Sequence, residues 1–120
     1  MPPPSEPLEK LGGQPLSIAV DVADEASVNA LIKSTVDRCG RLDILVNNAG
    51  TNVRKQPQDY TLAEWHHVLD TNLTSAFLCS RAAYAPMKAA GRGKIINIGS
   101  MMSIFGVSFS PAYGPSKGGL

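Results

Sequence analysis

Apolar and polar positions along the chain divide it into runs of two different periods. From Leu16 to Val22 the run L-S-I-A-V-D-V is short, rich in β-branched residues and nearly continuous in apolar character. That pattern predicts a strand buried on both faces of a parallel sheet. Val28, Leu31, Ile32, Thr35 and Val36 then recur at helical spacing, with Asp24 placed as N-cap and Gly40 placed to end the helix. Leu42 to Val46 is a second strand-like run, and the Asn-Asn-Ala-Gly after it is turn chemistry at a strand's carboxyl end. Thr61 and Glu64 make a T-x-x-E capping box. One helical face follows it through Leu62, Trp65, Val68, Leu69 and Asn72 to Ala76, Phe77 and Ala83, and Pro86 should kink or end that helix. Gly93 to Ile98 supplies a third strand, and a glycine-containing loop leads to another helix near Tyr113. Alternating strands and helices predict right-handed crossovers and a doubly wound parallel α/β sheet.

Composition narrows this picture. The 120 residues have room for one domain, and 43% hydrophobic residues is ordinary for a chain that buries a core. Residues 1–15 hold five of the nine prolines together with Gly12 and Gly13, so most of that stretch should lack regular structure. We read residues 1–13 as a leader and 14–120 as the domain. The net charge of +1, with both signs spread along the chain, gives no basic stripe for nucleic acid and no polybasic segment for a membrane surface. No apolar run approaches the roughly 18 to 20 residues that span a bilayer. The expected compartment is the cytoplasm, where Cys39 and Cys79 read as reduced thiols. His66 and His67 are adjacent, point to different helix faces and have no third ligand at a useful spacing, so no metal site is expected. Trp65 and Phe77 read as core residues.

In a doubly wound sheet the functional crevice lies beyond the carboxyl ends of the strands. Asp21 near the end of the first run, Asn47 to Gly50 after the second and Ser100 after the third all fall there. Tyr113 and Lys117 are four apart and share a helical face, where an ammonium stabilises the phenolate of a group that titrates near 10 when unperturbed. Ser100, thirteen residues earlier, has enough loop to bring its hydroxyl to a substrate oxygen. Alone, a Y-x-x-x-K pair is common, a serine after a strand can be a cap, and Asn72 can satisfy backbone groups at a helix irregularity. Their joint occurrence in this order points to proton transfer.

D-V at Asp21-Val22, N-N-A-G at Asn47 to Gly50, Asn72 within D-T-N-L, I-N-I-G-S ending at Ser100 and Y-G-P-S-K from Tyr113 resemble, in this order, the classical short-chain dehydrogenase/reductase family. The resemblance covers roughly residues 14 to 120. It implies a Rossmann-like fold and an NAD- or NADP-dependent oxidoreductase acting on a small-molecule alcohol or ketone. In that reading Tyr113 is the general acid/base, Lys117 lowers its pKa and holds the nicotinamide ribose, Ser100 orients the reacting oxygen and Asn72 supports a proton-relay water. Asp21 and Val22 match the segment that contacts adenine, while Asn47, Ala49 and Gly50 match the turn beside the ribose and nicotinamide. The protein positions and protonates; the cofactor carries the hydride. The stretches N-N-A-G-T-N-V-R-K and I-G-S-M-M-S-I-F-G are similar to the sugar-acid branch that includes gluconate 5-dehydrogenase and deoxygluconate dehydrogenases. That similarity offers Arg54 as a partner for a substrate carboxylate.

The sequence also departs from the family pattern. No T-G-x-x-x-G-I-G phosphate loop precedes Asp21, and Leu120 follows closely on Lys117, so the Rossmann-like domain is expected to be incomplete and the chain alone inactive. Exposed sheet edges and apolar faces are the expected consequence. Pro115 sits inside the last helix, near its first turn, where its effect should be limited. Two alternatives stand beside the dehydrogenase. One is a non-catalytic oligomerisation fragment, since the helices at residues 72–87 and after Tyr113 correspond to surfaces this family uses for homo-oligomers. The other is an epimerase or dehydratase of the extended branch, against which the N-N-A-G turn counts.

Overall fold

A computed structural model describes residues 6–120. Its elements are α1 (Glu6–Glu9), α2 (Glu25–Cys39), β1 (Ile44–Asn47), α3 (Leu62–Leu69), α4 (Ser75–Ala90), β2 (Lys94–Asn97) and α5 (Tyr113–Gly119), with a π-turn over Asp70–Thr74 and short 3-10 turns at Pro57–Asp59 and Met101–Ser103. Local sequence sets most of these boundaries. The Asp24 side chain accepts from the Ser27 N–H at the start of α2, and Gly40 closes the helix with φ of 80°, a conformation glycine adopts at no Cβ cost. Thr61 and Glu64 form both hydrogen bonds of the capping box on α3. The one-turn α1 is the only regular structure in the described part of the proline-rich stretch.

β1 and β2 pair in parallel, with Ile44 opposite Lys94 and Asn47 opposite Asn97. The intervening α3 and α4 form the crossover that parallel strands require. Leu45 faces inward and touches both core clusters: Val28, Leu78 and Cys79 in one, Ile32, Ala83 and Met87 in the other. The core therefore lies between α2, α4 and the inner face of β1. The opposite face, carried by Ile44, Val46 and Ile96, is about half exposed. Burial on both faces was expected of residues 16–22 alone; for the sheet an exposed apolar face was expected, and this is one.

Three expectations are corrected. Residues 16–22 do not form a strand. A strand exists by virtue of a hydrogen-bonded neighbour, and among the described residues none pairs with this segment; Val20 nevertheless packs against the Val28 cluster. Pro86 does not end α4, which runs to Ala90 before Gly91 closes it. A proline forfeits one helical hydrogen bond, but Ala83 and Met87 on either side of it are buried, so tertiary packing holds the helix through the gap. Phe77 is not core: it is 60% exposed, with the Arg81 guanidinium 4.9 Å from its ring centre. His66 and His67 are exposed. Among the described residues no helix is long and apolar enough to cross a membrane.

Candidate active site

Because the two strands are parallel, their following loops, residues 48–61 and 98–112, leave the same edge of the sheet. Asn47 ends β1 with its amide donating to Asn97 Oδ1 at 2.9 Å and to Ser80 Oγ at 3.2 Å, which ties both strand ends to α4. The two loops are also stitched together. The Lys55 N–H donates to the Phe109 carbonyl at 3.1 Å, Asn52 Nδ2 donates to Ser110 Oγ at 3.1 Å, and the Arg54 guanidinium lies 5.7 Å from the Phe109 ring centre.

At this edge Asn72 is almost fully buried in the π-turn. Its Oδ1 accepts from the Thr51 N–H at 2.7 Å, and its Nδ2 donates to the Thr51 carbonyl at 2.9 Å and to Ser116 Oγ at 3.0 Å. Asn72 thus joins the loop after β1 to α5. Ser116 is fully buried and donates in turn to the Tyr113 carbonyl at 2.7 Å. Neither Thr51 nor Ser116 was singled out from sequence, although Ser116 lies inside the Y-G-P-S-K motif.

Lys117 is 6% exposed and the only buried charged residue among those described. Its Nζ donates to the Ile98 carbonyl at 3.0 Å and lies 5.7 Å from the centre of the Tyr113 ring. No carboxylate pairs with it among the described residues. An ammonium has three donors, and burying one without a counter-ion is costly, so this placement is one the fold maintains against its own stability. A Cβ at Gly50 would stand 3.6 Å from Asn72 Oδ1 and 3.7 Å from Lys117 Nζ, so the absence of a side chain there keeps the space beside the ammonium open. Pro115 falls in the first turn of α5, where its missing N–H breaks no helical bond, in keeping with the limited effect expected.

Ser100 is half-buried, and its Oγ accepts from the Met102 N–H at 3.2 Å. Asn47, Gly50, Asn72, Ser100, Tyr113 and Lys117 are linked through hydrogen bonds and close approaches or through the elements that bear them. Ala49 is exposed on the loop between Asn47 and Gly50. Asp21, Val22 and Arg54 stand outside the network. Asp21 Oδ1 accepts from the Ala23 N–H at 3.0 Å and so shapes the turn before α2, while Val22 is half-buried beside it. Glu64 is held below the ordinary carboxyl range by its bonds to Lys55 and to the Thr61 backbone. Burial pushes the Cys79 thiol upward, which suits an inert core position.

The family model for short chain dehydrogenases matches residues 4–120. A ketoacyl reductase, HetN, of Nostoc sp. PCC 7120 is 36% identical over 109 residues, covering 91% of this chain and 38% of the relative. A 3-alpha-(or 20-beta)-hydroxysteroid dehydrogenase of Mycobacterium tuberculosis is 42% identical over 100 residues, covering 83% and 38%. A crystal structure from Sinorhizobium meliloti, described as a short-chain alcohol dehydrogenase, superposes with a TM-score of 0.89 at 37% identity, covering 93% of this chain and 44% of that one. The chain therefore spans less than half the length of these relatives and corresponds to part of their Rossmann-like α/β fold. Motif order, strand-edge geometry and sequence likeness agree that this chain belongs to the short-chain dehydrogenase family.

Proposed function

We propose that the protein to which this sequence belongs is an NAD- or NADP-dependent oxidoreductase that interconverts a secondary alcohol and a ketone, with Tyr113 as the proton donor and acceptor. The observation that carries this reading is the buried, carboxylate-free ammonium of Lys117 beside the Tyr113 ring. One Lys117 donor is used by Ile98, which leaves two to meet the ribose hydroxyls of a dinucleotide, and Gly50 leaves the room for that approach. The residues present thus fit the nicotinamide half of such a cofactor, with Asn47 and Ala49 on the same turn and Asp21 and Val22 offered to the adenine. When bound, the dinucleotide supplies or takes the hydride at the substrate carbon. In reduction, Tyr113 gives its phenolic proton to the substrate oxygen, and Lys117 supplies the positive charge that favours the anion left behind. Ser100 hydrogen-bonds the same oxygen and fixes its direction. Asn72 keeps the Thr51 loop and α5 in register and supports the water that returns the proton.

For the substrate we propose a small ketone or alcohol bearing a carboxylate, such as a sugar acid, met by the exposed Arg54 on the stitched loops. A second reading, a surface for homo-oligomers, is favoured by Phe77 and Tyr84, each more than half exposed one above the other on α4 and each paired with a cation, Arg81 or Lys88. Titrating the 120-residue chain with NADH and NADPH by fluorescence, with circular dichroism on the same sample, tests the first reading. Saturable binding that is lost in Lys117→Met is expected. A folded chain that binds neither nucleotide removes cofactor binding from it.

A further inference from the structure

Ser103 was not among the residues singled out from sequence, yet its hydroxyl makes a second side-chain link, beside that of Lys117 to Ile98, between the loop that bears Ser100 and the helix that bears Tyr113 and Lys117. Ser103 Oγ accepts from the Ser100 N–H at 3.1 Å and donates to the Lys117 carbonyl at 2.8 Å. Its own N–H returns to the Ser100 carbonyl at 2.9 Å, so both backbone groups of Ser100 are held by one residue. The acceptor on α5 is one of the carbonyls that the end of a helix leaves without an intrahelical partner, which gives the hydroxyl a fixed direction. Contact is close on either side as well. A Cβ at Gly99 would stand 3.1 Å from Ser103 Oγ, and one at Gly118 would stand 3.7 Å from the Ser103 carbonyl oxygen. The bridge is thus closed in by two glycines, one before Ser100 and one after Lys117.

We infer that Ser103 is a positioning residue, which sets the separation of Ser100 from the Tyr113–Lys117 pair by clamping the 3-10 turn Met101–Ser103 to α5. The catalytic half of this inference rests on the dehydrogenase reading above; the clamp itself does not. A threonine retains the hydroxyl that an alanine deletes, so the two substitutions separate the bridge from side-chain bulk.

The test compares the unaltered chain with Ser103→Ala and Ser103→Thr in two measurements. The first is hydrogen exchange of the Ser100 amide by NMR. Protection is expected in the unaltered chain and in Ser103→Thr, and Ser103→Ala should exchange about fivefold to tenfold faster, as the loss of one hydrogen bond implies. The second is turnover of a ketone probe with reduced dinucleotide by the whole protein to which this sequence belongs, unaltered and with each substitution. Ser103→Ala should lower kcat about tenfold to a hundredfold while KM for the dinucleotide stays within twofold, since a misplaced reacting group is penalised at the chemical step, and Ser103→Thr should restore it. An unprotected Ser100 amide in the unaltered chain overturns the clamp. Faster exchange with unchanged kcat overturns the positioning role. If the whole protein, unaltered, turns nothing over, the dehydrogenase reading falls, and the exchange measurement still decides the clamp.

Discussion

Asn72→Ala should be among the most damaging single substitutions in the chain, and the hydrogen bonds show why. The side chain satisfies the N–H and the carbonyl of Thr51 and reaches Ser116 Oγ, while only 2% exposed. Ser116 keeps its second bond to the Tyr113 carbonyl, so the groups stranded by the substitution are the two of Thr51. Leaving a buried backbone group unpaired costs about 1–3 kcal/mol, and because Thr51 is only half-buried the lower part of that range applies to each. The expected loss is about 2–3 kcal/mol. In urea, with an m-value of about 1–3 kcal/mol/M, the unfolding midpoint should fall by about 0.7–3 M at unchanged m, followed by far-ultraviolet circular dichroism. Ser116→Ala removes the bond from Asn72 and the bond to the Tyr113 carbonyl and should cost about 1–2 kcal/mol. Since the two residues share a bond, the double variant should be less destabilised than the sum of the single ones by about 0.5–1 kcal/mol. A loss under about 0.5 kcal/mol for Asn72→Ala, or strict additivity, would refute the network.

Three other outcomes are expected. The Glu64 carboxyl is held below its ordinary value of 4.5, so its contribution to stability is present above about that pH and is lost as the pH falls through the lowered value. Glu64→Gln should flatten this part of an acid unfolding curve, and a curve of unchanged slope would count against the Lys55–Glu64 bond. Gly93→Ala would place a Cβ 2.5 Å from Met87 Cγ and Sδ, costing about 1–3 kcal/mol, and the penalty should shrink when Met87 is also made alanine, as thermal melts of the four chains would register. Phe109→Ala takes away the ring beside the Arg54 guanidinium and should raise KM for a carboxylate-bearing ketone about threefold, with no change for an uncharged ketone. Equal effects on both ketones would argue against Arg54 as the carboxylate partner.

What could be read from sequence was what is decided within a few residues. Asp24, Gly40 and the Thr61–Glu64 box cap their helices because capping depends on the adjoining turn alone. β1 and β2 were legible as short apolar runs followed by turns. Residues 16–22 carry the same pattern without forming a strand, because a ladder needs a neighbour, and no local rule says whether one is present. Phe77 and Pro86 failed for a similar reason: apolar spacing does not tell which face meets the core, and packing on both sides outweighs one missing bond. In the site, Gly50, Asn72, Tyr113 and Lys117 were legible as motif members. Ser103 was not, although the S-x-x-S spacing from Ser100 is that of the capping box it forms. The order of motifs could be read, but the hydrogen bonds that close the distance between them could not.

The π-turn between α3 and α4 has a consequence for insertions and deletions. Such a turn accommodates one residue more than a continuous α-helix over the same length. Deleting one residue of Asp70–Thr74 would remove that extra residue and let a continuous α-helix span the same length with its phase kept, whereas inserting one at the start of α4 would turn everything beyond it by about 100° about the axis, the angle one residue subtends. Leu78, Cys79, Ala83 and Met87 would swing away from α2 together, and the exposed Phe77 and Tyr84 would be carried round with them. The π-turn can therefore lose a residue other than Asn72 without disturbing the core, whereas the length of α4 is locked by the phase of its own 16 residues.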